Sequence, residues 1–498
     1  MKKGYMLMVV LLFIFLAQPM AWAAQQFSGH LTEGIANEYD YEEVTFITGE
    51  PILLTGTAKI SESGRTDKVS TRITYSLKDS TGTVKLSRSV SFTTTLEKKL
   101  EEQQTVSVTD ADRVSETITV GKDRYTLEDC QYNRSALTDN KPGVDYFSGN
   151  WNAKKTYNLN KDQAKVVVES WGDTVGYNHA WGSTETQKID NTITFSGKKV
   201  IDKEEYDQEW SGTYQCNLSF NRTKELTYKP NEPTQISFAG GYLQTEQEEQ
   251  TLEISYDLPV FNSNGLLKNS KRETGDDSYK LLTTPTQKRL PIPLLRDVQG
   301  HWAEEDILKL ASLEALPIKG NYFGPALNMT RGEFTWAIAK LADIVPETTT
   351  TARSTARKTV QEVSPFADVP ADHPYYKYIK AACDKGIVSG TGTNRFNPDE
   401  PLTRAQAVNM LIRTMGFEGL APLYNSTTSY RDDAKIPYWA RDAIYVGSEI
   451  GLISGKNGYC LPNQTMSRAE AAVFLNRFIQ YLQKDMKYEY RERLLNFR

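Results

Sequence analysis

Three arginines occupy the same place in three similar stretches of the chain. Each follows a Ser or Thr and opens a run of apolar residues at helical spacing: Arg331, Arg404 and Arg468. A cation in the first turn faces the positive end of the helix dipole, which costs about 0.3–1 kcal/mol at an exposed site. Because this unfavourable choice recurs, we expect these guanidinium groups to lie beside free helix N–H groups and to bind an anion.

The residues around each arginine have the pattern of a capping box. In this motif the Ser or Thr side chain accepts an N–H bond of the first turn, and a Glu or Gln three residues later reaches back. The three boxes pair Thr330 with Glu333, Thr403 with Gln406, and Ser467 with Glu470. One such motif is an ordinary helix start. Three copies, each with a proline five residues before the Ser or Thr, predict a structural repeat.

Further upstream, each copy has an aspartate loop, and two copies have a tryptophan after it: Asp297, Asp368 and Asp433, with Trp302 and Trp439. Glycine turns follow at residues 386–390 and 451–455, where Gly386 and Gly451 fit a helix stop. Each unit therefore predicts an aspartate loop, a helix, a glycine turn, a short extended piece and a capped helix.

This order of elements resembles the S-layer homology (SLH) domain, a bacterial surface module that usually occurs as three tandem copies. The resemblance covers residues 289–483 and implies a pseudo-threefold assembly of helices whose grooves bind a cell-wall polysaccharide, typically one bearing pyruvylated N-acetylmannosamine. It implies that the ligand contacts come from Arg331, Arg404, Arg468, Asp297, Asp368, Asp433, Trp302 and Trp439. A pyruvate ketal is a carboxylate, and an arginine beside a helix start suits it.

The three copies are not identical, so we do not assume that all three grooves bind. The first copy has no glycine turn at 315–320 and carries Gly332 where the others have alanine. The second has Pro374 and Tyr375 in place of Trp-Ala, and Gln406 in place of glutamate. Two alternatives with a purely structural role stay open: the tryptophans can pack in the core, and the aspartates can cap turns.

The domain organisation follows from these patterns. A basic start, an apolar run and a small-x-small site predict a cleaved signal peptide at 1–23, hence an exported, wall- or surface-located protein without a membrane span in its mature part. A β-rich region at 24–288 precedes SLH repeats at 289–345, 365–428 and 429–483, a Thr-rich linker at 346–364 and a helical tail at 484–498. The net charge of −5 argues against a nucleic-acid partner.

The β-rich region alternates apolar and polar residues between turn signals, which predicts an antiparallel sandwich or barrel, and we favour the sandwich. A split near 130–145 would make two sandwiches. Cys130 and Cys216 either pair as a disulfide or stay free.

We find no signature of a catalytic site, a metal site or a cofactor in the β-rich region, so we predict a noncatalytic displayed region. Two alternatives stay open. The β-rich half can be a wall-anchored polysaccharide or peptide hydrolase, or the whole protein can form the S-layer lattice itself.

Tryptophans beside Gly and Asn residues form an aromatic zone in the β-rich region: Trp151, Trp171, Trp181 and Trp210. Exposed on one sheet face, such rings can stack on sugars or contact a partner. Packed inside, they are core residues with glycine-bearing turns nearby, and we favour this second interpretation.

Overall fold

The computed structural model describes residues 29–35, 37–99, 101, 103–201, 204–231, 240–344, 364–392, 394–423 and 426–487. The predicted signal peptide at 1–23 lies outside these residues, as do almost all of the Thr-rich linker and most of the tail after residue 484. None of the helices in the described ranges combines the length and apolar character that a bilayer crossing needs.

The first half of the chain forms one antiparallel sheet. Its strands follow one another in chain order from β1 to β13, and β14 pairs with β12 beside β13. Within the described ranges the strands are β1 Gly29–Ile35, β2 Glu38–Thr45, β3 Ile52–Gly64, β4 Lys68–Lys78, β5 Val84–Lys99, β6 Gln104–Val120, β7 Asp123–Asn140, β8 Val144–Leu159, β9 Ala164–His179, β10 Gly182–Ile201, β11 Glu204–Lys229, β12 Gly241–Phe261, β13 Leu267–Leu282 and β14 Thr286–Pro291.

The sheet curls round its own apolar face. Alternate residues of each strand point inward, as Ile73, Tyr75 and Leu77 do on β4, and all three are buried. Phe46, just after β2, stacks on Tyr214 of β11 with ring centroids 4.1 Å apart. Residues near the two ends of the sheet therefore share one core, and the sheet is a half-barrel.

This arrangement differs from the predicted sandwich. The proposed split near 130–145 coincides with the β7–β8 hairpin, whose pairing runs from Tyr125 opposite Leu159 to Asn140 opposite Asp145 without leaving the sheet. A turn signal between two alternating strands looks the same whether the chain stays in one sheet or starts another. The sequence pattern therefore could not separate the two architectures.

A network of charged side chains lies inside the curled sheet. Arg88 of β5 donates to Glu43 of β2 and Glu116 of β6, with Nη1–Oε2 and Nε–Oε2 distances of 2.8 Å each. Lys155 Nζ of β8 lies 3.0 Å from Glu116 Oε2, and the Tyr157 hydroxyl donates to Glu116 Oε1 over 3.1 Å. Burial alone would raise the pKa of Glu116, but Arg88 and Lys155 hold it far below its ordinary value.

Of the two alternatives for Cys130 and Cys216, the structure has the second, because no disulfide joins them. Cys130 lies on β7 and Cys216 on β11, so β8, β9 and β10 separate them in the sheet. Cys216 is instead a small buried core residue.

The second half is helical. Its α-helices within the described ranges are α1 Glu304–Ser312, α2 Arg331–Leu341, α3 Tyr376–Asp384, α4 Arg404–Met415, α5 Arg441–Glu449 and α6 Arg468–Gln480. Short 3₁₀ turns lie at Glu418–Leu420, Asp433–Lys435 and Tyr438–Ala440, and a π-helical turn, Tyr481–Asp485, follows α6. The predicted helix stops adopt positive φ, 77° at Gly386 and 70° at Gly451.

The helix contacts close into a ring. The second helix of each repeat packs against the first helix of the next. In this way α2 contacts α3, α4 contacts α5, and α6 of the third repeat contacts α1 of the first. Extended residues before the capped helices also pair between repeats, as Thr330 does with Pro401 and Thr403 with Thr465. No repeat therefore buries its apolar face alone.

The half-barrel and the helical ring share a core. Val144, Tyr146, Tyr177 and Trp181 of the sheet belong to the same buried cluster as the helices. Trp181 Nε1 donates to the carbonyl of Leu341 over 2.8 Å. Of the aromatic zone, Trp151, Trp181 and Trp210 are buried and only Trp171 is exposed.

Candidate functional site

The structure contains all three capping boxes. Thr330, Thr403 and Ser467 each accept the N–H of the residue three positions on, and that residue's side chain accepts the N–H of the cap. These bonds fix where α2, α4 and α6 begin. They therefore fix the positions of Arg331, Arg404 and Arg468, the first residue of each helix.

Aspartates tie each loop to the extended piece before the capped helix. Asp297 accepts the N–H of Gly324 over 2.7 Å, and Asp368 accepts those of Phe396 and Asn397 over 2.9 and 2.7 Å. Desolvation raises the pKa of each carboxyl, but the main-chain N–H bonds outweigh it, so both pKa values lie below normal. These carboxylates brace the loops.

In the third repeat the equivalent residue is Asp432 and not Asp433. The carboxylate of Asp432 accepts the N–H groups of Cys460 and Leu461 over 2.7 and 2.8 Å. Asp433 instead pairs with Arg441, Nη1 to Oδ2 being 3.0 Å. The spacing already carried this signal, since Asp368 precedes Phe396 by 28 residues and Asp432 precedes Cys460 by the same 28.

The three arginines reach into the next repeat of the ring. Arg331 Nη2 donates to Ser389 O over 2.7 Å, and Arg404 Nη2 donates to Ser454 O over 2.6 Å. Arg468 Nη1 donates to Phe323 O over 2.8 Å, which links the third repeat to the first. The guanidinium groups are therefore links between repeats, a role that the sequence did not predict.

Beyond this shared link, the arginines have different partners. Arg468 forms a buried ion pair with Glu333, the capping-box glutamate of the first repeat, so an internal carboxylate already occupies it. Arg331 makes no ion pair of this kind with any residue that the structure describes. Burial lowers the pKa of Arg331 to about 10, which leaves its side chain charged at neutral pH.

A groove of about 380 Å³ lies beside Arg331. All three repeats contribute to it: Arg331 from the first, the 387–391 turn and α4 from the second, and Trp439 from the third. Trp439 is 52 % exposed, so one of its edges or faces is open to a ligand. We call this space the Arg331 groove.

The charge of the Arg331 groove is positive. Arg331 and Arg413 line it, and none of the described residues lining it is an Asp or a Glu. The capping box beside this groove has Gln406 three residues after its N-cap, where the other two boxes have Glu333 and Glu470. The substitution that looked like a weakness of the second repeat therefore removes a negative charge from the groove. Sequence analysis missed Arg413, which lies nine residues after Arg404.

Trp302 lies outside the Arg331 groove. It is 68 % exposed and its ring lies beside that of His301, with centroids 5.4 Å apart. Neither Trp302 nor Trp439 is a core residue.

Three tandem helix pairs, linked in a ring and fused to a half-barrel, define a three-repeat helical module. Residues 295–335, 365–408 and 429–472 match the S-layer homology domain, so the chain carries three tandem SLH repeats, as the sequence predicts. The SLH repeats support a location at the cell surface or in the S-layer.

Several curated proteins are similar to the chain. A cell surface protein of Thermoanaerobacter kivui is 33% identical over 128 residues, 26% of this chain and 17% of that protein. Exoglucanase XynX of Acetivibrio thermocellus is 28% identical over 350 residues, 67% of this chain and 29% of the enzyme. The surface-layer 125 kDa protein of Lysinibacillus sphaericus is 31% identical over 119 residues, 23% of this chain and 10% of that protein. The chain thus spans less than a third of the length of each.

Proposed function

We propose that the chain attaches noncovalently to an acidic cell-wall polysaccharide through the Arg331 groove and holds the half-barrel at the cell surface. The observation that carries this proposal is a groove with two arginines, no carboxylate among its described lining residues and a half-exposed tryptophan. A sugar carboxylate, such as a pyruvate ketal, has the charge and planar geometry that arginine binds in two-point fashion.

The arrangement suggests how a sugar would be held. Arg331 uses Nε and Nη2 for the carbonyls of Phe396 and Ser389, which leaves Nη1 for a ligand oxygen. Arg413 supplies the second positive charge, and its contact with Glu418 is long, at 3.9 Å. Trp439 offers an apolar surface for a pyranose ring, and Asn409 and Thr391 offer polar groups for hydroxyls.

The grooves are not equivalent in this proposal. The place of a ligand carboxylate beside Arg468 is taken by Glu333, so we infer that the Arg331 groove is the principal binding site. The ring of helix contacts and the cyclic order of the arginine links support the pseudo-threefold assembly that the resemblance implies.

We also propose that the half-barrel is noncatalytic in this chain. The buried carboxyl of Glu116 is enclosed and bonded to Arg88, Lys155 and Tyr157, and so is not available as a general acid or base. Enzymes such as exoglucanase XynX are among the relatives, but the chain covers only 29% of that enzyme.

Replacing Trp439 with alanine should lower the affinity of the full chain for the purified acidic wall polymer about fivefold to tenfold, because a stacked ring contributes about 1–1.4 kcal/mol. The measurement is isothermal titration calorimetry. Tyr438→Ala is the matched control, since its side chain is 94 % exposed and does not line the groove. Equal affinities for the two variants would contradict the proposal.

A further inference from the structure

A row of polar side chains with one tryptophan crosses the outer face of the half-barrel. Strand pairing places Trp171 of β9 between Asn152 of β8 and Asp190 of β10. The row continues through Gln215 of β11 to Ser255 of β12. Neighbours in such a row stand about 4.8 Å apart, which is close to the length of one sugar residue in an extended glycan.

The exposure of Trp171 is fixed by the register of the sheet. Trp171 is 50 % exposed, whereas Trp151, Trp181 and Trp210 of the sheet are buried. The next residue, Gly172, faces the inside of the sheet, where the indole of Trp151 lies so close that a Cβ on Gly172 would overlap with its Nε1. A one-residue slip would drive a side chain into this indole, so Trp171 is held on the outer face.

A depression of about 420 Å³ lies beside Trp171. Its outward-facing lining consists of the indole at one side and of hydroxyl, amide and carboxylate groups elsewhere: Trp171, Asp190, Thr192, Thr213, Gln215, Ser255 and Asp257. Gln215 Nε2 donates to Asp190 Oδ1 over 2.6 Å, which fixes both side chains. The depression therefore offers a ring surface and fixed polar groups side by side.

The charge of this depression favours a neutral ligand over an acidic one. Asp190 lies 3.5 Å from Lys188 Nζ, and Asp257 lies 2.6 Å from Arg272 Nε, so each carboxylate has a cation beside it. Neither cation is among the residues that line the depression. A polyanion would meet the two carboxylates first, whereas hydroxyl groups can donate to them. The Arg331 groove has the opposite character.

We propose that this face binds a neutral glycan. The ring of Trp171 packs against the C–H face of one pyranose, and Asp190, Gln215 and Thr192 bond to hydroxyls of that sugar and its neighbour. The half-barrel then holds a neutral wall or environmental polysaccharide while the helical ring holds an acidic one. This inference does not depend on the proposed function of the SLH repeats, because none of the residues is shared.

The test is titration of the full chain with two neutral probes, cellohexaose and N-acetylchitohexaose, by isothermal titration calorimetry. We expect at least one probe to bind, Trp171→Ala to weaken it tenfold or more, and Gln215→Ala to weaken it severalfold. Trp439→Ala should leave this binding unchanged and lower only the binding of the acidic polymer. A failure of one site is thus distinguishable from a failure of the other.

Three results would overturn the inference. One is that neither neutral probe binds the unmodified chain. Another is that Trp171→Ala binds as well as the unmodified chain, with the far-ultraviolet circular dichroism spectra of both identical. The third is that the chain dimerises in sedimentation and Trp171→Ala makes it monomeric, since the exposed ring would then be a contact between two copies.

Discussion

Replacing Glu116 with alanine is expected to lower the free energy of unfolding by about 3–5 kcal/mol. Glu116 accepts bonds from Arg88, Lys155 and Tyr157, and all four side chains lie inside the half-barrel. Its removal leaves Lys155 and half of the Arg88 charge in a medium that solvates them poorly. Urea unfolding followed by tryptophan fluorescence measures the change.

Two further variants show whether charge is the cause. Glu116→Gln keeps the volume and part of the hydrogen bonding, so its loss should fall between that of the alanine variant and zero. Glu128→Ala removes a carboxylate whose contact with Lys165 is exposed and 3.8 Å long, and it should change the stability by less than about 0.5 kcal/mol. If Glu116→Ala lost no more than Glu128→Ala, the network would have no structural role.

Replacing Trp181 with alanine is expected to cost about 3–5 kcal/mol as well, for a different reason. Trp181 is 5 % exposed and lies between the half-barrel and the helical ring, where its Nε1 donates to Leu341 O. The substitution opens a cavity and leaves a buried carbonyl without its partner. The effect should appear in the unfolding of both parts of the chain, because they share one core.

The matched variant is Trp171→Ala, which removes the same side chain from an exposed position and should cost under about 1 kcal/mol. Trp181→Phe should recover most of the packing and lose about 1 kcal/mol for the hydrogen bond. Equal stability of the Trp181→Ala and Trp171→Ala variants would contradict the role of Trp181 in joining the half-barrel to the helical ring.

The local features of the helical half were predictable from sequence. Capping boxes depend on residues three positions apart, and the stops at Gly386 and Gly451 depend on one residue each, so each pattern specifies its own geometry. For the sheet, the sequence showed only that apolar and polar residues alternate, which predicts strands but not how the strands are arranged. Whether β7 and β8 end one sheet or continue it depends on contacts such as that of Phe46 with Tyr214, which are far apart in the chain.

The candidate site was predictable in part. Arg331 was predicted from its place at a helix start and Trp439 from the family resemblance, and both residues line the Arg331 groove. The different partners of Arg468 and Arg331 were not predictable, because the pairing of Arg468 with Glu333 joins the third repeat to the first. The role of Gln406 required the same long-range information, since the replacement of a carboxylate by a neutral amide matters only beside Arg331 and Arg413.

The most direct test of the anchoring role is a crystal structure of the full chain with an N-acetylmannosamine glycoside that bears a pyruvate ketal. We predict that the ketal carboxylate lies about 2.7–3.0 Å from a guanidinium nitrogen of Arg331 or Arg413, with the sugar ring against Trp439. A sugar bound elsewhere, or a groove that stays empty at saturating sugar in solution and crystal alike, would contradict the account.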